Sequence, residues 1–171
     1  MSGVEVRFLG TGDAFGSGGR LHSAALVRSA GGSLLVDCGP STLAALRRAA
    51  FDPNAVEAIV LTHLHGDHFG GVPFLLMDAH YARGRTRPLL VAGPAGVEAA
   101  VARAHEALFP GSGGLAPRFQ VTYTEWSDGE AAAAGPATVT PFPVRHSTVT
   151  PCYGLRLEVG GRVLAFSGDT E

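Results

Sequence analysis

The fold of this 171-residue chain is decided by the stretch Leu61-Thr-His-Leu-His-Gly-Asp-His-Phe-Gly-Gly71. It carries three imidazoles and a carboxylate within six residues, in the order H-x-H-x-D-H. The apolar run Ala58-Ile-Val-Leu61 leads directly into it and is typical of a strand buried on both faces. Because zinc prefers neutral imidazoles and carboxylates, we predict a metal site at the carboxyl end of this strand.

The spacing within the motif divides its ligands into two sets. His63 and His65 lie two residues apart, so they face the same side of an extended segment. Gly66 allows a sharp turn of the backbone, after which the adjacent Asp67 and His68 must diverge. This divergence suits ligands to a second ion or a second role. For the motif as a whole, the alternatives are a structural zinc site or histidines that cluster by chance.

Further ligands are expected downstream, because a single zinc takes about four ligands and one loop cannot serve two ions. His146 ends a predicted strand in Pro143-Val-Arg-His146, and Asp169 follows the last strand in Phe166-Ser-Gly-Asp-Thr170. Strand ends at one rim of a sheet are where α/β proteins assemble sites. An ordinary turn role for Asp169 and an ordinary histidine at position 146 stay open, as does a role for His22.

Bulk composition is that of a globular domain, with 46% hydrophobic and 16% charged residues. No run reaches the roughly 18 apolar residues of a membrane span, and the start resembles no export signal. We therefore expect no membrane partner and a cytoplasmic location. The net charge of −2 argues against general nucleic-acid affinity. Cys38 and Cys152 are predicted to be buried free thiols.

Segment patterns predict strands mixed with helices, and hence a layered α/β architecture. The predicted strands are 4–9, 23–29, 33–37, 55–61, 89–92, 119–126, 138–144, 153–159 and 162–167. Helices are predicted at 42–50, with Ser41 as N-cap, at 69–82, with Phe74, Leu75 and Leu76 in the core, and at 96–108. Gly160-Gly161 indicates a type I′ turn, and 128–136 is predicted to be a loop.

Several motifs together resemble the metallo-β-lactamase superfamily of hydrolases. They are Thr62-His-Leu-His-Gly-Asp-His68, the later His146, and Ser167-Gly-Asp-Thr170. Four more resemble its ribonuclease Z-like branch of tRNA 3′-processing endonucleases and phosphodiesterases: Phe8-Leu-Gly-Thr-Gly12, Leu35-Val-Asp-Cys-Gly39, Arg87-Pro-Leu-Leu-Val-Ala-Gly-Pro-Ala-Gly96 and Tyr153-Gly-Leu-Arg156. The resemblance implies an αββα sandwich, with residues 1–171 in one metallo-hydrolase domain.

Two divalent metal ions are implied as cofactors, first of all Zn²⁺, with Mn²⁺ or Fe²⁺ as alternatives. By position in the motifs, the resemblance assigns six ligands: His63, His65 and His146 to the first ion, Asp67 and His68 to the second, and Asp169 to both. Asp67 is also implied to orient the attacking hydroxide or take its proton. Asp37, which ends an apolar strand, is a candidate for fixing the imidazole tautomers, and a turn or cap role is equally open.

This sequence departs from the family pattern in two ways. The family has one more metal-binding histidine well after the Gly-Asp-Thr segment, together with further strands and a helix, whereas this sequence ends at Glu171. We expect that the sequence is a portion of a longer fold rather than that the second metal site is deficient. The long flexible arm of many ribonuclease Z enzymes has no room in 89–126, which argues against tRNA itself as the substrate.

The predicted function is a di-zinc phosphodiesterase acting on an RNA end or a small phosphodiester, with Arg83, Arg85 and Arg87 as candidate phosphate contacts. For these arginines a solvated loop is the alternative. Two other hypotheses stay open. One keeps the metals but cleaves a lactone, thioester, sulfate ester or β-lactam, and the other is a non-catalytic binding module. For the oligomeric state, a homodimer is an open alternative to a monomer.

Overall fold

The computed structural model describes residues 3–112 and 118–171, which form two stacked β-sheets with helices on the outer face of the first. The strands are β1 (Glu5–Gly10), β2 (Ala24–Ser29), β3 (Gly32–Val36), β4 (Val56–Val60), β5 (Leu89–Gly93), β6 (Val121–Glu125), β7 (Ala132–Ala134), β8 (Ala137–Pro143), β9 (Tyr153–Val159) and β10 (Arg162–Phe166). The helices are α1 (Thr42–Arg48), α2 (Gly66–Phe69), α3 (Val72–Met77) and α4 (Val97–Leu108).

Two predictions reach outside this described part. The predicted domain begins at residue 1, and residues 1–2 are not described. The predicted lack of a long arm holds for 89–112 and 118–126, which contain β5, α4 and β6, while residues 113–117 lie outside the described residues. Among the described helices, none combines the length and the apolar character needed to cross a bilayer.

The first sheet has six strands in the order β1-β2-β3-β4-β5-β6. The pairs from β1 to β3 are antiparallel and those from β3 to β6 are parallel. Val36 pairs with Val60, and Val60 with Ala92, so β3, β4 and β5 end at the same rim. The end of β1 and the start of β2 reach this rim as well, where Gly10 pairs with Ala24.

The second sheet is antiparallel, in the order β10-β9-β8-β7. Gly160 and Gly161 both have positive φ angles, 53° and 73°, which confirms the predicted type I′ turn between β9 and β10. The predicted loop at 128–136 is wrong in part, because it contains β7. Alanine has low strand propensity, but Ala134 is fully buried between the sheets, and that burial with the pairing to β8 decides the local structure.

Strand β4 explains why the sequence before the motif is continuously apolar. Ala58 and Val60 face the second sheet, whereas Ile59 and Leu61 pack against the helices. All four are fully buried, and burying a side chain such as Val, Ile or Leu stabilises the fold by about 1.5–3 kcal/mol. The predicted two-sided burial is confirmed, and it anchors the end of β4 rigidly beneath the motif.

The helix predicted at 69–82 is wrong in its extent. Helix α2 begins earlier, at Gly66, and the chain breaks at Gly70 and Gly71 before α3 and a π-helical turn at Asp78–Ala82. The break follows from a close approach, since a Cβ on Gly71 would lie 2.1 Å from the carbonyl oxygen of Gly39. In α3, which begins after this break, Phe74 is exposed rather than in the core, while Leu75 is buried as predicted.

Candidate metal centre

The structure brings all six predicted metal ligands to the rim where β4 ends. We call them the donor cluster: His63, His65, Asp67, His68, His146 and Asp169. The first four leave the end of β4 and enter α2, His146 follows β8, and Asp169 follows β10. The donor cluster therefore combines three chain segments that are far apart in sequence.

Three imidazole nitrogens form what we call the first donor group, made of His63, His65 and His146. His65 Nδ1 lies 3.1 Å from His63 Nε2 and 3.1 Å from His146 Nε2. His63 is completely buried, whereas His65 and His146 are exposed on the rim. The group is thus fixed at its base and open to solvent on one side.

The second donor group consists of Asp67, His68 and Asp169. His68 Nε2 lies 3.5 Å from Asp67 Oδ2 and 3.4 Å from Asp169 Oδ1. The other oxygen of Asp169, Oδ2, lies 3.7 Å from His146 Nε2. Asp169 therefore stands between the two groups and presents one carboxylate oxygen to each.

Asp37 supports the second donor group from below. Its Oδ2 accepts a hydrogen bond from His68 Nδ1 at 2.7 Å, and its Oδ1 accepts from the backbone N–H of Thr62 at 2.9 Å. Asp37 has a φ angle of 58°, in the left-handed region that costs about 1–3 kcal/mol outside glycine. The backbone accepts this strain at a position from which a buried carboxylate reaches the motif.

The electrostatics of the two groups differ. Burial, together with the neighbouring imidazoles, lowers the pKa of His63 to about 3, so this ring is neutral at pH 7. Burial acts in the same direction on His68, but the hydrogen bond and charge of Asp37, with Asp169 and Asp67, raise its pKa above the ordinary value. A cation is thus favoured at the second donor group, and lone pairs are available at the first.

The donor cluster fits divalent metal ions. Ligand nitrogens about 2.0–2.1 Å from a tetrahedral zinc lie about 3.3 Å from one another. In the first donor group, two of the three nitrogen pairs have nearly this spacing, and all three nitrogens lie within 4.8 Å of one another. In the second, Nε2 of His68 faces two carboxylates, an arrangement that a positive charge between them stabilises. Mixed imidazole and carboxylate donors suit Zn²⁺, Mn²⁺ or Fe²⁺.

A cavity of about 160 Å³ opens beside the donor cluster. Asp37, Thr62, His68 and Asp169 line one side of it, and Phe8 and Phe166 line another. Neither the cavity nor the contribution of Thr62 was foreseen from the sequence. Thr62 could have been suspected, because it is the hydroxyl residue that separates the buried strand from the first histidine of the motif.

The three arginines predicted to contact phosphate do not lie at the donor cluster, and this prediction is corrected. Arg83 lies within 4 Å of the carboxylates of Asp52 and Asp78. Arg85 is buried and donates to the carbonyl oxygens of Asn54 and Val56, at the opposite end of β4. Arg87 pairs with Glu57 on the surface near the same end. In this segment Arg85 is buried and holds the loop against the start of β4, whereas Arg83 and Arg87 are exposed.

The side chain of Ser41 contacts His22 rather than the first turn of α1. The Oγ of Ser41 accepts from the backbone N–H of His22 at 2.9 Å and lies 3.2 Å from its Nδ1. Ser41 occupies the N-cap position of α1, as predicted, but its side chain makes no capping hydrogen bond to the helix. His22 packs beside Gly39, close to the backbone of Asp67, and so supports the loop without joining the donor groups.

Comparison with known proteins finds relatives in sequence and in structure. A family model described as Anti-Pycsar protein Apyc1 matches residues 4–171. Ribonuclease Z from Lachnoclostridium phytofermentans is 33% identical over 159 residues, which cover 91% of this chain and 49% of that protein. The chain spans about half the length of the curated relatives it matches.

Two solved structures share the architecture. The short form of human tRNase Z superposes with a TM-score of 0.79 at 27% identity, over 96% of this chain and 68% of that one. The metallo-β-lactamase fold protein YhfI from Bacillus subtilis superposes with a TM-score of 0.72 at 24% identity, over 97% of this chain and 62% of that one.

Proposed function

Because the chain belongs to the family described as Anti-Pycsar protein Apyc1 and has the metallo-β-lactamase fold in its ribonuclease Z-like branch, we propose that it is a metal-dependent hydrolase of phosphodiesters. The observation that carries the proposal is Asp169, whose two oxygens face His68 and His146 in different donor groups. A carboxylate in this position is what two neighbouring cations require.

In this proposal the first donor group holds one divalent ion, Asp67 and His68 hold the second, and Asp169 contacts both. Zinc is the proposed metal, because imidazole nitrogens predominate among the donors. When bound, the ions would supply an activated water and neutralise charge on the phosphate. The chain's own contribution is to hold the donors in place and to keep the base of the site dry.

Asp67 is the proposed catalytic carboxylate. Its side chain is only 10% exposed and lies at the junction of the motif and α2, 3.5 Å from the Nε2 of His68. Its Oδ2 faces His68, and its Oδ1 would accept the proton of the attacking water. A positioned general base of this kind contributes about 10²–10⁴-fold to rate.

An RNA end or a small phosphodiester is the proposed substrate. The relatives named ribonuclease Z and tRNase Z support a nucleic-acid phosphodiester. The cavity beside Asp169 offers Phe8 and Phe166, and aromatic rings of this kind can stack on bases. The arginines of 83–87 are not part of this proposal, because they lie at the other end of the sheet.

A substrate panel tests the proposal. We expect bis(p-nitrophenyl) phosphate and a short RNA with a 3′ extension to be cleaved in the presence of Zn²⁺ or Mn²⁺, and a chelator to abolish the activity. Elemental analysis should find two ions per chain. Turnover of a lactone or β-lactam alone would assign the same centre to acyl chemistry, and protein that takes up no metal would support a non-catalytic module.

Asp67→Asn supplies the residue-level test, with Asp52→Asn as the matched control. Asp52 carries an exposed carboxylate at the opposite end of β4, where it caps a short turn. We expect a loss of about 10²–10⁴-fold in kcat for Asp67→Asn and no loss for the control. Equal activity of the two variants would remove Asp67 from its proposed role.

A further inference from the structure

We propose that Thr62 is a positioning residue. Its hydroxyl donates a hydrogen bond to Asp37 and accepts one from Nδ1 of His63, so that Asp37 fixes the position of the proton on His63. One buried carboxylate would then set the tautomer of a ligand in each of the two donor groups, directly for His68 and through the Thr62 hydroxyl for His63. The inference deepens the proposed function, on which it rests for the metal-binding roles of the two histidines.

The contacts form a continuous chain. Thr62 Oγ1 lies 3.0 Å from each carboxylate oxygen of Asp37 and 3.0 Å from Nδ1 of His63. The Nδ1 of His68 reaches Asp37 Oδ2 at 2.7 Å. None of these four residues is more than 3% exposed, so bulk water does not complete these hydrogen bonds.

The direction of each hydrogen bond follows from the number of protons. An ionised carboxylate only accepts, and a hydroxyl has a single proton to donate. The Thr62 hydroxyl must therefore donate to Asp37, which leaves only lone pairs facing His63. His63 Nδ1 must carry a proton to complete the contact. In the reverse arrangement, the oxygens of Thr62 and Asp37 would face each other at 3.0 Å with no proton between them.

The outcome at both histidines is a proton on Nδ1, which leaves Nε2 as the nitrogen that faces the other donors. In His63, Nε2 points at His65 Nδ1, 3.1 Å away, within the first donor group. In His68, Nε2 points at Asp169, 3.4 Å away, within the second. The opposite tautomer would place the fixed proton on Nε2, where an ion has to bind. The hydrogen bonds of Asp37 and Thr62 therefore keep Nε2 of both histidines for metal.

Thr62→Val isolates the hydroxyl. Valine has nearly the same shape, and the substitution keeps the backbone contacts of this position, from Thr62 N–H to Asp37 and from Tyr153 N–H to the Thr62 carbonyl. Thr62→Ser restores the hydroxyl and is the matched control. Asp37→Asn removes the shared acceptor and should affect both histidines.

The experiment is nitrogen-15 NMR of the histidine rings in the metal-free full chain, followed by Zn²⁺ affinity from competition with a chromogenic chelator. We expect His63 and His68 of the unmodified protein to be protonated on Nδ1. Thr62→Val should change the tautomer of His63 alone and weaken zinc binding about 10–100-fold, the usual effect of losing such a partner. Thr62→Ser should behave like the unmodified protein, and Asp37→Asn should change both rings.

An Nε2–H tautomer for His63 in the unmodified protein would overturn the proposal, and this measurement needs no variant to fold. Unchanged His63 tautomer and zinc affinity in folded Thr62→Val would also overturn it. Failure of the proposed function gives a different result, in which the tautomers are as expected but no phosphodiester is cleaved. The two outcomes are therefore distinguishable.

Discussion

Replacing Arg85 by methionine is expected to destabilise the protein without affecting its chemistry. Arg85 is 2% exposed, and its charge is not paired with a carboxylate within hydrogen-bond distance in the described residues. Instead it donates to four backbone carbonyls: Arg87 at 2.7 Å, Asn54 at 3.0 Å, Val56 at 2.8 Å and Pro88 at 2.6 Å. It also lies over the ring of Phe119, 5.5 Å from its centroid.

The magnitude follows from these contacts. A hydrogen bond from a charged donor contributes about 1.5–3 kcal/mol, but the cost of burying the guanidinium offsets much of the sum of four. The substitution removes the charge together with its donors, so the remaining cost is that of buried carbonyl oxygens left without a donor, about 1–3 kcal/mol each, and we expect about 3–5 kcal/mol in total. For a protein of this size, about 2–4 °C per kcal/mol makes the fall in Tm roughly 6–20 °C.

Urea unfolding followed by far-UV circular dichroism, and calorimetry, measure the effect. Arg87→Met is the matched control, because Arg87 is exposed and pairs with Glu57 on the surface at 3.2 Å. The control should change the free energy of unfolding by less than about 1 kcal/mol. Equal stability of the two variants, with weakened binding of a phosphodiester by Arg85→Met, would refute the reasoning and return Arg85 to a phosphate-binding role.

Three further predictions concern other parts of the structure. In Gly39→Ala the new Cβ would lie 2.2 Å from the carbonyl oxygen of Asp67, so Zn²⁺ affinity should fall by about tenfold or more in chelator competition, and unchanged affinity would contradict this. Burial raises the pKa of the Cys38 thiol to about 12, so iodoacetamide at pH 8 should modify it only after unfolding, and mass spectrometry of the native protein checks this. Burial and the Asp128 hydrogen bond raise the pKa of Tyr153 to about 12, above the value of about 10 in the unfolded chain. The folded state then holds a proton that the unfolded state loses, so stability should fall between pH 10 and 12, and Tyr153→Phe should reduce this slope in urea titrations.

Much of the fold could be predicted from the sequence, because its strands are either alternating or continuously apolar. The metallo-β-lactamase fold and the ribonuclease Z-like resemblance are confirmed by the relatives. The errors occur where distant segments touch. The helix around Gly71 breaks because of its contact with Gly39, and the alanines of β7 form a strand because β8 pairs with them.

The centre was predictable to the extent that its residues lie in one motif. His63, His65, Asp67 and His68 are adjacent in sequence, whereas His146 and Asp169 were placed by the rule that strand ends share a rim. The hydroxyl of Thr62 had only the signal of its place directly before the motif, and its role depends on Asp37, 25 positions away in sequence. Arg85 was misread because an exposed and a buried arginine look alike in a segment of alternating small and basic residues.

The donor cluster draws on both sheets, since its motif follows β4 of the first and its last two members follow β8 and β10 of the second. A bound cation would consequently clamp the two halves of the sandwich together. By mass action, free metal at 100 times its Kd would add about 2.7 kcal/mol to the folded state. Metal supply would then govern not only turnover but also how long the protein survives proteolysis.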